Sequence, residues 1–131
     1  KADDCMQLSF PDNSFDAVTV AYGVRNFENL DRGLKEMYRV LRSGGRLVIA
    51  ELTVLDKYPM KQLFTTYPKA TSSIMCKLIS HDNKAYKYLP ATMKAFPHGP
   101  QMKEILERAG FKNTKYNDFI LGINTLYEAE K

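Results

Sequence analysis

The segment 15–27 constrains the fold more than any other part of the sequence. Seven of the eight residues in Phe15–Tyr22 are apolar, aromatic or β-branched, and one is charged. This composition is typical of a strand that is buried on both faces, as in a parallel sheet. Gly23 ends the predicted strand, and Arg25 and Asn26 follow directly. Because open α/β sheets bind ligands where their strands end, the pair is either part of a site or an ordinary surface pair in a loop.

A helix is predicted from Asn29 to Arg42 because apolar residues recur at helical spacing. They are Leu30, Leu34, Met37, Tyr38 and Leu41. Asn29 is the predicted N-cap, and Asp31 lies in the first turn, where the helix dipole favours negative charge. The sequence 43–45, Ser-Gly-Gly, is predicted to end the helix. A phosphate-binding turn is disfavoured because the glycines follow a helix instead of preceding one.

The next predicted strand runs from Arg46 to Leu55, with a buried run at 47–50. Glu51 follows that run, on the same crevice as Arg25. Three interpretations of Glu51 stay open: a partner for a basic group, a lining residue of an acceptor pocket, or a solvated carboxylate on the rim.

The carboxyl-terminal part predicts a helix followed by two strands. The helix covers Gln101–Ala109, with Met102, Ile105, Leu106 and Ala109 on one face and Gly110 closing it. The predicted strands are Phe111–Tyr116 and Ile120–Ala129, joined by a turn at 117–118.

Several motifs, in order along the chain, resemble the ubiquinone/menaquinone biosynthesis C-methyltransferase family. The most specific are Gly-Val-Arg-Asn at 23–26 and Ala-Tyr-x-Tyr-Leu-Pro at 85–90; further matches are Asp-Cys at 4–5, Leu-Ser-Phe-Pro-Asp-Asn-Ser-Phe-Asp at 8–16, Glu-Met-x-Arg-Val-Leu-x-x-Gly-Gly-Arg at 36–46, Ala-Gly-Phe at 109–111 and Gly-Ile at 122–123. The matches extend over nearly the whole chain.

This resemblance implies the carboxyl-terminal half of a class I, Rossmann-like α/β methyltransferase. Its sheet would contain strands 4-5-7-6 with an antiparallel terminal hairpin. Residues 1–55 and 101–131 would form the core of this partial domain, and 56–100 a helical lid over the acceptor site. The glycine-rich cofactor cradle of such enzymes has no counterpart here, because no Gly-x-Gly occurs. We therefore expect the amino-terminal half to be absent from this sequence.

The resemblance also implies site residues for S-adenosylmethionine-dependent C-methylation of a polyprenylated hydroquinone. Arg25 and Asn26 are the implied catalytic residues. The implied cofactor-binding residues are Asp4, Cys5, Ala21, Tyr22 and Gly23, and the implied substrate-binding residues are Glu51, Tyr67, Tyr86 and Tyr88.

Alternatives to these roles stay open. The Asp4–Cys5 segment is otherwise a frayed terminus, and the lid aromatics, which include Phe64 and Phe96, otherwise only pack the lid onto the sheet. No acidic base is obvious. Another small-molecule acceptor, or a fragment without activity, would also fit the motifs.

Composition limits the partners. The net charge of +4 arises from scattered basic residues, so nucleic acid is not expected as a partner. Two cysteines make no disulfide framework, and His81 and His98 lack metal-ligand spacing, so we expect a reduced, cytoplasmic protein without a metal. A lipid-tailed quinol substrate implies possible peripheral contact with the inner membrane face. We expect the strand 15–22 to be an exposed edge that pairs with its copy in a homodimer or with an amino-terminal half.

Overall fold

The sheet has the strand order that the resemblance implies. The computed structural model describes residues 3–52, 96–119 and 124–131. In these residues four strands form one sheet in the order β1-β2-β4-β3. The strands are β1 (Phe15–Ala21), β2 (Leu41–Leu52), β3 (Lys112–Phe119) and β4 (Asn124–Glu130), and the α-helices are α1 (Leu30–Val40) and α2 (Pro100–Arg108). β1 and β2 are parallel, and β4 is antiparallel to both of its neighbours. The predicted 4-5-7-6 order with an antiparallel terminal pair is confirmed.

The core lies between one face of the sheet and the two helices. Helix α1 contributes Leu34 and Met37, and α2 contributes Met102 and Leu106. On β2 only alternate residues of the predicted buried run are fully buried, namely Leu47 and Ile49. The predicted apolar faces of both helices are therefore confirmed, whereas β2 has one deeply buried face instead of two.

β1 lies at the edge of the sheet in the described part of the chain, where β2 is its neighbour. The prediction that this strand is buried on both faces is wrong for this structure. Val18 and Val20 are half-buried against the core, whereas Ala17, Thr19 and Ala21 on the opposite face are exposed. No described helix packs on that opposite face, so half of the strand remains accessible.

Helix α1 begins as predicted and ends earlier than predicted. The Asn29 side chain caps it by accepting a hydrogen bond from the Arg32 N–H at 3.0 Å. The helix stops at Val40, whose carbonyl accepts a hydrogen bond from the Ser14 N–H at 2.7 Å. Lys131 Nζ donates to the Leu41 carbonyl at 2.7 Å. Contacts from distant parts of the chain thus satisfy the carbonyls at the helix end, and the glycines do not terminate it.

Gly44 and Gly45 instead form an irregularity within β2, which begins at Leu41 and not at Arg46. Phe15 and Ala17 are two residues apart on β1. Their partners on β2, Leu41 and Arg46, are five residues apart. Gly44 has φ +76°, and a Cβ on Gly45 would lie 2.8 Å from the Arg42 carbonyl oxygen. The glycine pair therefore permits a tight bulge.

The turn predicted at 117–118 is wrong, because both residues belong to β3. Asn117 pairs with Leu126, and Asp118 pairs with Thr125. β4 is described over Asn124–Glu130, and the predicted start at Ile120 lies outside the described residues. Helix α2 is confirmed apart from a shift of one residue, and Gly110, at φ +108°, follows its end.

Candidate functional site

The carboxyl end of β1 has an unusual backbone. Tyr22 has φ +56°, which is an outlier for a bulky residue, and its side chain is 46% exposed. The Tyr22 N–H donates to the Ala50 carbonyl at 2.8 Å, which holds this conformation on β2. A single turn of 3₁₀ helix, Val24–Asn26, follows, with Val24 buried in the core. Strained residues of this kind cluster at functional sites, and this one directs the chain into the segment that carries Arg25.

Arg25 and Glu51 form a buried ion pair that joins the ends of the two parallel strands. The guanidinium Nη1 contacts Glu51 Oε1. The Arg25 N–H also lies 3.4 Å from Glu51 Oε2, and the Leu52 N–H donates to Oε1 at 3.0 Å. The side chain of Glu51 is 1% exposed and that of Arg25 is 12% exposed. The interpretation of Glu51 as a solvated rim carboxylate is therefore wrong, and pairing with a basic group is confirmed.

Two buried polar atoms near this edge have no hydrogen-bond partner. Among the described residues, Arg25 Nε and Asn124 Oδ1 are both unpaired, and Asn124 pairs in register with Leu52 at the end of β2. Unsatisfied buried polar atoms are rare and need a physical explanation. Arg25 Nε is a hydrogen-bond donor and Asn124 Oδ1 is an acceptor.

A row of polar residues continues across the sheet from Glu51; Glu51 and Thr125 are buried, and Asp118 is exposed. Glu51 pairs in register with Thr125, and Thr125 Oγ1 donates to Asp118 Oδ1 at 2.7 Å. Tyr127 Oη accepts a hydrogen bond from the Gly99 N–H at 2.8 Å, and burial raises the pKa of this phenol. The sequence reasoning missed this row because it placed Asp118 in a turn. The sequence feature that indicates this row is the two-residue spacing of Thr125 and Tyr127, which places both side chains on one face of β4.

The other predicted cofactor residues lie on a separate turn before β1. The Asp4 carbonyl accepts from the Gln7 N–H at 3.0 Å, and its Oδ1 accepts from the Met6 N–H at 2.9 Å. Asp4 is exposed and Cys5 is half-buried. Burial first, and the neighbouring Asp4 second, raise the pKa of the Cys5 thiol. The Asp4–Cys5 segment is thus an ordered turn, which leaves its binding role a prediction.

The predicted site residues divide into three groups, of which the Asp4–Cys5 turn is one. The second group lies on the segment 21–26, where Ala21, Tyr22 and Asn26 are exposed and Gly23 and Arg25 are half-buried, and Glu51 is joined to it through Arg25. The third group, Tyr67, Tyr86 and Tyr88, lies outside the described residues, as do Phe64 and most of the predicted lid. Phe96 is described, and it is buried in the core. This agrees with the alternative in which Phe96 only packs the lid onto the sheet.

Residues 3–52, 96–119 and 124–131 contain neither a metal cluster nor a membrane-spanning helix. In these ranges no group of three or more side chains of His, Cys, Asp or Glu is placed to hold a metal ion. No helix within them has both the length and the apolar character needed to cross a membrane.

The fold is that of S-adenosylmethionine-dependent methyltransferases. A solved methyltransferase from Thermotoga maritima, described as a possible histamine N-methyltransferase, superposes with a TM-score of 0.64 at 16% identity, covering 97% of this chain and 61% of that one. A methyltransferase from Aquifex aeolicus superposes with a TM-score of 0.61 at 16% identity, covering 98% and 52%. At such identities the likeness concerns the fold alone.

Sequence comparison then identifies the family. The model of the ubiE/COQ5 methyltransferase family matches residues 2–131, and the chain belongs to this family. It is 57% identical over 129 residues to the demethylmenaquinone methyltransferase of Bacteroides fragilis, covering 98% of this chain and 53% of the relative. It is 42% identical over 127 residues to the ubiquinone/menaquinone biosynthesis C-methyltransferase UbiE of Geotalea daltonii, covering 97% and 54%. The chain spans about half the length of the curated relatives it matches.

Proposed function

We propose that this chain provides the acceptor side of an enzyme that methylates a ring carbon of a polyprenylated hydroquinone, with demethylmenaquinol as the acceptor. Family membership and the names of the relatives support the reaction class. The observation that carries the proposal is the unpaired Nε of Arg25 at the carboxyl edge of the sheet. S-adenosylmethionine, when bound, supplies an electrophilic methyl group.

The chemical task of the chain is to make a ring carbon nucleophilic. Loss of the neighbouring hydroxyl proton to a water molecule, or a strong hydrogen bond donated by that hydroxyl, raises the electron density on that carbon. The carbon loses its own proton to water once it carries the methyl group. The Arg25 guanidinium stabilises the developing phenolate charge, and it is effective because its position is fixed before the reaction. Glu51 binds Nη1 of the guanidinium and Nε has no partner; donation from Nε to the ring oxygen requires the acceptor to enter at this buried position. Asn26, exposed and adjacent, orients the same oxygen.

The described residues fit part of an S-adenosylmethionine site. The exposed Asp4 carboxylate retains lone pairs that can accept from the amine of adenine, and the Cys5 N–H can donate to a ring nitrogen. The segment Ala21–Gly23 contributes the adjoining wall at the end of β1. Positioning of the two reactants in a pocket from which water is excluded provides the remaining rate enhancement. The substrate-binding roles of Tyr67, Tyr86 and Tyr88 stay predictions, because these residues lie outside the described part of the chain.

The proposal includes where the protein works and what it binds. A lipid-tailed quinol lies in the membrane, so a cytoplasmic enzyme that methylates it makes peripheral contact with the inner face.

Among the described strands, β1 lies at an edge and pairs on one side only, with β2, and such edges recruit another strand. We propose that β1 pairs either with a strand of the remaining half of the protein or with a second copy. Sedimentation equilibrium of this chain alone over a range of concentrations tests pairing with a second copy, and a clean monomer would contradict that pairing.

The test of the reaction uses the full-length protein with labelled S-adenosylmethionine and a panel of acceptors. We expect methyl transfer to demethylmenaquinol and little transfer to simple phenols. Arg25→Ala should lower kcat about 100-fold or more, as expected for the loss of one electrostatic stabiliser. Arg42→Ala is the matched control, because Arg42 pairs with Asp16 at the surface, where its side chain is 54% exposed. Near-normal turnover by folded Arg25→Ala would refute the role of Arg25.

A further inference from the structure

The backbone of Leu8 is held by two charged side chains of α1. The Leu8 N–H donates to Glu36 Oε2 at 3.0 Å, and Arg39 Nη2 donates to the Leu8 carbonyl at 2.9 Å. The two side chains are also bonded to each other, through Nε to Oε1 at 3.0 Å and Nη2 to Oε2 at 2.9 Å. Together they offer the Leu8 peptide one acceptor and one donor, as the edge of a neighbouring strand would do.

The guanidinium of Arg39 is fully engaged in this arrangement. Its Nη1 donates to the Phe10 carbonyl at 2.9 Å and to Asp12 Oδ1 at 2.6 Å. With the bonds to Leu8 and Glu36, these contacts account for all five N–H donors of an arginine. Arg39 holds the pKa of Glu36 below its usual value, so Glu36 is ionised at neutral pH. A lysine cannot make the same set of contacts, because it has three donors on a single nitrogen.

This arrangement lies directly next to the turn that carries the proposed adenine contacts. The turn closes through the Gln7 N–H and the Asp4 carbonyl, and Gln7 is covalently followed by Leu8. Fixing both polar groups of the Leu8 peptide therefore fixes the end of the turn and limits its rotation relative to α1. The far end of the same segment is fixed by the Asn13 N–H, which donates to the Arg39 carbonyl at 3.0 Å.

We propose that Glu36 and Arg39 are positioning residues for S-adenosylmethionine: by binding the Leu8 peptide they hold the Asp4–Gln7 turn in the orientation that receives the adenine ring. This inference rests on the proposed function for the identity of the cofactor. It assigns a role in cofactor affinity to two residues that do not touch the cofactor. Preorganisation of the turn lowers the entropy that binding must otherwise remove.

The test measures S-adenosylhomocysteine binding to the full-length protein by calorimetry, together with steady-state kinetics. Arg39→Met should weaken binding about tenfold or more, the order expected when a charge-assisted hydrogen bond is lost. The KM for S-adenosylmethionine should rise in parallel, whereas kcat and the KM for demethylmenaquinol should stay near the wild-type values. Glu36→Gln, which keeps one acceptor, should show a smaller change in the same direction. Arg46→Met is the matched control, because Arg46 is 73% exposed and pairs with Glu130 away from the turn.

The outcomes separate this inference from the proposed function. Unchanged S-adenosylhomocysteine affinity in Arg39→Met would overturn the inference, and so would a fall in kcat without a change in affinity. If Arg39→Met does not fold, Arg39→Lys and Glu36→Gln decide the matter: weaker binding supports the inference and wild-type binding overturns it. If the wild type binds S-adenosylhomocysteine but does not methylate demethylmenaquinol, the proposed acceptor fails while the titrations still decide the role of Arg39.

Discussion

Removing one partner of the Arg25–Glu51 ion pair should destabilise the protein far more than removing both. In Glu51→Gln the guanidinium of Arg25, which is 12% exposed, loses its counter-charge. In Arg25→Met the carboxylate of Glu51, which is 1% exposed, loses its counter-charge. An uncompensated charge left by breaking a buried pair costs about 3–5 kcal/mol. We expect Glu51→Gln to lower the free energy of unfolding by about 3 kcal/mol, because Arg25 retains some access to solvent, and Arg25→Met to lower it by about 3–5 kcal/mol, because Glu51 has almost none.

The double variant should be only mildly destabilised. It has no buried charge, and the glutamine side chain introduced by Glu51→Gln would retain an acceptor for the Leu52 N–H, which now donates to Glu51 Oε1. Replacing a buried pair by uncharged residues of similar volume is often close to neutral, so we expect a loss of about 1 kcal/mol. The double variant should nevertheless have lost about 100-fold in kcat, because the electrostatic stabiliser is gone.

Urea unfolding of the full-length protein, followed by circular dichroism, measures this cycle. The expected single and double losses correspond to a coupling energy of about 5 kcal/mol or more between the two positions. Additive effects, with the double variant as unstable as the two single changes together, would refute the account of the pair as a buried, mutually compensating unit. A stable double variant with undiminished turnover would refute the catalytic role of Arg25.

Three further substitutions test packing, hydrogen bonding and pH dependence. Gly33→Ala should lower the midpoint of thermal unfolding, because the new Cβ would lie 2.5 Å from the Phe27 ring and overpacking of about 1–3 kcal/mol exceeds the gain in helix propensity. Tyr127→Phe should cost about 1–3 kcal/mol in urea unfolding, because the buried Gly99 N–H loses its acceptor. In the folded protein the pKa of Glu36 lies below its usual value of 4.5. The stabilisation that ionised Glu36 provides is therefore complete at neutral pH and is lost as the pH falls below about 4.5. Glu36→Gln should therefore lose less stability than the wild type between about pH 6 and about pH 3, and parallel acid limbs would contradict this.

Local patterns in the sequence were sufficient to predict the elements whose burial is regular. Helix α1 followed from its apolar spacing and from Asn29 as N-cap, and both are present. The end of α1 did not follow, because the contacts that satisfy its last carbonyls come from Ser14 and Lys131. A glycine pair after a helical pattern reads as a terminator, and local sequence cannot distinguish this from a bulge inside the next strand.

The candidate site was predictable in its residue types and not in its contacts. Arg25 and Glu51 were each selected because they follow a strand, but their ion pair joins positions 26 residues apart. Asp118 was assigned to a turn because Asn-Asp is a common turn sequence, whereas cross-strand pairing with Thr125 overrides that preference. The sequence indicates Arg39 only as part of a family motif. Its side chain donates to the Leu8 backbone, and a contact with a backbone group cannot be predicted from the pattern of side chains.

The position of the transferred methyl group tests the central claim most directly. The full-length protein is incubated with demethylmenaquinol and S-adenosylmethionine labelled with heavy carbon in its methyl group, and the product is analysed by nuclear magnetic resonance. We expect a methyl group on a ring carbon of the quinol, and almost none in the Arg25→Ala reaction. A methyl group on a ring oxygen, or no transfer to the quinol by a protein that binds S-adenosylhomocysteine, would contradict it.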